Sequence, residues 1–101
     1  MKLVLITTIA AFEKDVKKML KEAKVISYSY QEVKGFRDAS TENVASNWFG
    51  SEMNETESVA FYAFVLQQNL EILFEEVTQF NNQQESMSHV HLAVLGLEKY
   101  N

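Results

Sequence analysis

Two histidines, His89 and His91, stand one residue apart near the end of a 101-residue chain and are its only imidazoles. On an extended strand, residues i and i+2 project from the same face with Cβ atoms about 7 Å apart. Two imidazoles so placed can join a divalent transition-metal site if a third ligand arrives from a carboxylate or a neighbouring subunit. The same pair can serve as metal-free polar residues of a sheet or an interface. It can also form a pH-sensitive contact, because histidine titrates near neutrality. A His-X-His pair with no cysteine and no fixed carboxylate is a weak signature.

A second cluster is Lys34-Gly35-Phe36-Arg37, at the end of a stretch that alternates like a strand. Its two cations can bind an anionic metabolite in a cleft at the loop base. Their plainer role is a surface ion pair with Glu32 or Glu98, worth at most ~1 kcal/mol. From Asp38 through Ser58 the chain then runs 21 residues without a helical or strand pattern. So long an excursion inside a small domain is functional or disordered. Residues 37–58 are therefore read as one long loop, and Trp48-Phe49 within it as anchors for a partner's pocket or for the loop's own domain. Asp38, Glu42, Glu52, Glu55 and Glu57 make the loop acidic, in no EF-hand spacing. No nucleophile–base pair or paired acids stand at a recognisable strand end, so no enzyme is expected.

Composition narrows the class. The length fits one domain, residues 1–101. No cysteine is present, which removes disulfides, thiolate metal sites and cysteine nucleophiles. A net charge of −5 without a basic cluster argues against nucleic acid as a partner. The N-terminal apolar run imitates a signal peptide, but its β-branched residues and Thr7-Thr8 favour a strand. No segment approaches the ~18 apolar residues of a membrane span, so no direct membrane insertion is expected and a cytoplasmic protein is the default.

The elements that must carry these residues follow from periodicity. Lys2 to Ile9 is a near-continuous apolar run, read as a strand buried on both faces. Phe12, Val16, Met19, Leu20 and Ala23 repeat at helical steps with lysines and acids between them. Val25 to Phe36 alternates as a strand, and Val59 to Leu66 is apolar enough for a central one. Leu70, Leu73, Phe74, Val77 and Phe80 form a second helical stripe, Asn81 to Ser88 ends it, and His89 to Leu95 is a last strand. The order β-α-β-β-α-β predicts the α+β ferredoxin-like fold, a four-stranded antiparallel sheet with two helices on one face. The face without helices would expose apolar and aromatic side chains. A symmetric oligomer that covers it is expected. An RNA-recognition domain shares this order but needs a basic surface.

With this order around Glu32-Val33-Lys34-Gly35-Phe36-Arg37, the chain resembles the nitrogen-regulatory PII signal-transduction family. The resemblance covers nearly the whole chain in topology, and chiefly residues 32–37 in sequence. It implies a homotrimer with sheets facing the centre, and a T-loop at residues 37–58 that engages a membrane transporter or an enzyme. The metal-tolerance trimers share the architecture, which keeps a metal at His89 and His91 as the alternative. The departures concern nucleotide. Family members hold ATP or ADP through a Gly/Lys-rich loop before the last strand. Here that loop is Asn81-Asn82-Gln83-Gln84-Glu85-Ser86-Met87-Ser88, with no glycine, no lysine and one acid. A phosphate cradle needs approachable backbone N–H groups and a cation, so ATP or ADP is not expected here. The family's effector-binding glutamine and modified tyrosine have no counterpart after Phe36.

Overall fold

Strand β1 (Lys2–Ile9) is the spine of the sheet. In the computed structural model, which describes residues 1–36 and 55–101, it lies between two antiparallel neighbours in the order β2-β3-β1-β4. Val4, Ile6 and Thr8 are buried, whereas Leu3, Leu5 and Thr7 on the opposite face are only half-buried. Burial on both faces, expected from the near-continuous apolar run, is thus complete on one face alone.

A 3₁₀ turn at Ala10–Phe12 leads into helix α1 (Glu13–Glu22). Glu13 and Asp15 in its first turn and Lys21 in its last match the helix dipole. Val16, Met19 and Leu20 bury one stripe. The helix ends in a Schellman closure: Val25 N–H donates to Leu20 O (2.9 Å) and Lys24 N–H to Lys21 O (3.0 Å). Lys24 takes the left-handed conformation this requires, with φ 61°. Val25 is drawn into the core, at 7% exposure.

That closure explains why strand β2 (Ser29–Phe36) starts four residues later than the alternation from Val25 suggested. Strand β3 (Glu55–Val65) shows the reverse. It begins four residues before Val59, inside the stretch read as loop, because Glu55–Ser58 pair with Val33–Phe36. Backbone pairing, not an apolar pattern, forms this part. Strand β1 reaches only as far as Ser58, at Ile9. Beyond it β2 and β3 continue as a two-stranded ribbon.

Helix α2 (Gln67–Gln83) buries Leu70, Leu73 and Val77. Phe74, assigned to the same stripe from its spacing, is 43% exposed. The helices meet through Phe12 and Phe80, whose rings cross edge to face at 4.9 Å. Strand β4 (His91–Gly96) starts two residues after His89 and pairs with β1 alone.

Both helices cover the face that carries Val4, Ile6, Phe61, Ala63, Val65 and Val90, the main core. Tyr28 and Tyr30 lean on Phe61, with ring centroids 5.8 and 5.4 Å away. Tyr62, Phe64 and Leu95 look out from the opposite face at 38, 61 and 46% exposure. The observed architecture is the expected ferredoxin-like one. No described helix is long and apolar enough to cross a membrane.

Candidate functional site: a groove at the base of residues 37–54

Strand register places the candidate residues. On the helix-free face the alternation of side chains aligns Gln31, Ala60, Thr7 and His91 in one row across the four strands. The next row toward the loop joins Val33, Ser58 and Ile9, then Gly35 and Thr56. The lower rows are apolar, with Leu5, Tyr62 and Ala93 followed by Leu3, Phe64 and Leu95. The open face is therefore divided into a more polar end toward Phe36 and Glu55 and a greasy end away from them.

At the polar end lies an open groove of about 800 Å³. It is lined by Lys34, Gly35 and Phe36 from β2, Thr56 and Ser58 from β3, Thr7 and Ile9 from β1, and His89 and His91. Members of the two clusters singled out from sequence, far apart in the chain, thus line one cavity. Arg37, Trp48 and Phe49 lie outside the described residues. Thr7, Ser58 and Met87 were not anticipated as groove residues; Thr7-Thr8, the one polar break in an apolar run, was the available signal.

Gly35 is small for a steric reason. A Cβ there would stand 2.7 Å from Ser58 Oγ. That hydroxyl donates to Thr56 O at 3.2 Å, so the β3 wall of the groove approaches β2 closely. Lys34 Nζ pairs with Glu57 Oε1 at 3.2 Å, its cross-strand partner in register. Neither Glu32 nor Glu98 takes that part, because on β2 the residue directly opposite is nearest. Both partners are about two-thirds exposed, so the pair is weak and an incoming anion can compete for the ammonium.

The histidines are held through backbone. Thr8 Oγ1 donates to His89 O at 3.2 Å, and Asn81 clamps Val90 with two hydrogen bonds, Nδ2 to Val90 O (2.9 Å) and Val90 N–H to Oδ1 (2.8 Å). His89 Nδ1 lies 3.2 Å from Met87 O. A tautomer donating from Nδ1 there leaves the Nε2 lone pair available for a donor or a metal. Among the described residues no three His, Asp or Glu side chains gather closely enough to hold a metal ion. To hold a metal, the histidine pair would need further ligands from elsewhere.

Residues 84–88 close on themselves. Gln84 Oε1 accepts from Ser86 N–H (2.7 Å) and Ser86 Oγ (2.6 Å), and Ser86 Oγ accepts from Ser88 N–H (3.2 Å). Two backbone donors that a phosphate would use are thus already engaged by side chains.

No family model matches the sequence. No curated protein matches it either. Among solved structures the chain is similar to CPII, a nitrogen regulatory PII-like protein from Thiomonas intermedia K12 bound to ADP, AMP and bicarbonate. The superposition has a TM-score of 0.60 at 16% identity and covers 97% of this chain and 94% of that one. The chain thus has the fold of the nitrogen regulatory PII-like proteins.

Proposed function

We propose that this protein is a non-enzymatic, homotrimeric, cytoplasmic regulatory protein of PII-like type. It senses a small ligand in the groove between Lys34 and His91 and transmits occupancy through residues 37–58 to a partner such as a transporter or an enzyme. The observation that carries this reading is the position of the groove. Phe36 and Glu55, between which residues 37–54 leave and return, are paired neighbours at its edge. A ligand that repositions β2 against β3 there acts directly on both ends of that segment.

The groove's chemistry favours a small anion. Thr7 and His91, side by side on adjacent strands, offer a hydroxyl and an imidazole donor, and Ser58 on the next strand offers a second hydroxyl. CPII was solved with ADP, AMP and bicarbonate. The self-closed 84–88 loop argues for the smallest of these over a nucleotide. Calorimetry of the wild type against bicarbonate, AMP, ADP and ATP tests this. Bicarbonate binding that weakens about tenfold in His91→Ala is expected, the loss of one hydrogen bond to a charged ligand. Tight ATP binding, unchanged in that variant, would overturn the reading.

The shared position of His89 and His91 in the groove favours one second reading, a divalent transition metal completed by a ligand from a neighbouring subunit. Titration with Cu²⁺, Zn²⁺ and Ni²⁺ decides it. If alanine at both histidines leaves affinity unchanged, the metal reading is wrong.

A further inference from the structure

Residues 87–91 present three donor side chains to one side. Met87, His89 and His91 are exposed, Ser88 between the first two is half-buried, and Val90 between the histidines is 2% exposed. The three outward side chains line the same groove. Their backbone is fixed from beneath: Asn81 clamps Val90, Thr8 Oγ1 donates to His89 O, and Ser86 Oγ accepts from the Ser88 N–H. Met87 takes no part in the core. It is 87% exposed, whereas Met19 is 4% exposed and packs among the buried residues. A thioether on three rotatable bonds thus stands beside two imidazoles with no packing role to fill. His89 Nδ1 lies 3.2 Å from Met87 O, which brings the ring back against the Met87 backbone and frees Nε2.

We propose that Met87 Sδ, His89 Nε2 and a ring nitrogen of His91 form a site for a soft monovalent cation, Cu⁺. The ion follows from the donor set. Among the described residues no three His, Asp or Glu side chains gather, so a divalent ion finds the two imidazoles here without a carboxylate to complete them. The donor that does stand with them in the groove is a thioether. Thioethers are poor ligands for hard and borderline ions and good ones for Cu⁺. Cu⁺, with its filled d shell, also binds stably with two or three donors, whereas a structural Zn²⁺ takes four. Strand spacing suits it. Imidazoles at i and i+2, with Cβ atoms about 7 Å apart, can flank one ion. The chain bends at Ser86 and Met87, so the thioether need not follow the line of the strand. The inference rests on the second reading above, with a thioether of the same chain in place of a neighbouring subunit's ligand and a monovalent ion in place of a divalent one.

The test is an anaerobic titration with Cu⁺ against the chromophoric chelator bicinchoninate, repeated with Ag⁺ as a redox-inert probe and with Zn²⁺. Cu⁺ and Ag⁺ are expected to bind one per chain, and Ag⁺ to shift the Met87 methyl resonance. Met87→Leu, at an exposed position outside the core, is expected to weaken both monovalent ions at least about tenfold, since losing even an outer-shell partner of a metal ligand costs that much. The same variant is expected to leave Zn²⁺ affinity unchanged. Alanine at both histidines is expected to weaken every ion that binds. Copper X-ray absorption of the Cu⁺ form should show a sulfur neighbour in the wild type and none in Met87→Leu. Cu⁺ affinity that falls with the histidines but is indifferent to Met87→Leu would end this inference and leave the second reading standing. Zn²⁺ held by the histidines with no Cu⁺ bound would do the same. Wild-type protein that binds none of the three ions would end both.

Discussion

Single residues here are explained by what stands beside them. Gly35 is tied to Ser58, whose hydroxyl would lie 2.7 Å from an added Cβ. Gly35→Ala is expected to cost about 1 kcal/mol, because Ser58 Oγ must turn away from Thr56 O. In a double-mutant cycle by urea denaturation, most of that cost should vanish on a Ser58→Ala background. Lys24 is an L-residue held at φ 61° by the helix closure. Lys24→Gly is expected to stabilise the fold by about 0.5–1 kcal/mol, since the left-handed penalty outweighs the extra entropy of glycine. Among the described residues Lys17 carries a pH signature. Its hydrogen bond to the Tyr30 hydroxyl, and next that to Glu13, raise its pKa above 10.5. A raised lysine pKa gives stability fully present below the unfolded value and lost as pH rises through the folded one. The difference in stability between wild type and Lys17→Met should therefore stay flat through neutral pH and shrink only above 10.5.

At the scale of elements, periodicity reported what burial enforces and was silent where hydrogen bonding alone decides. β1, α1, α2 and the inner part of β3 were legible because each buries a stripe. Glu55–Ser58 were not, because polar residues pair there as strand with both faces open. Phe74 was placed in the core stripe by spacing, yet it is 43% exposed and lines an open groove with Leu70 and Val94. The histidines and the Lys34–Phe36 cluster were each visible in sequence, but not their meeting, which depends on β1 and β3 lying between β4 and β2. Asn81 is the other device that spacing could not show. It acts as a strand partner for Val90, which is 2% exposed. Asn81→Ala leaves buried backbone groups unpaired and is expected to cost about 1–3 kcal/mol in chemical denaturation. It should also loosen His89 and His91, seen as faster amide exchange at those residues than elsewhere in the sheet.

For the whole molecule, the helix-free face sets the problem that the proposed assembly would answer. Apolar rows at Phe64, Leu3 and Leu95 occupy the end of that face away from the loop, and the groove occupies the other. Sheets facing inward would bury the first and leave the second open at the Phe36–Glu55 end. Ligand state and partner contact would then be coupled through a short, paired ribbon rather than through the core. The most direct measurement is an amide NMR titration of the wild-type protein with bicarbonate, followed by ATP. The expected result is saturable bicarbonate shifts concentrated at Val33–Phe36, Thr7, Ser58, His89 and His91. Saturable ATP shifts confined to residues 81–88, with the groove unmoved by either ligand, would contradict the account.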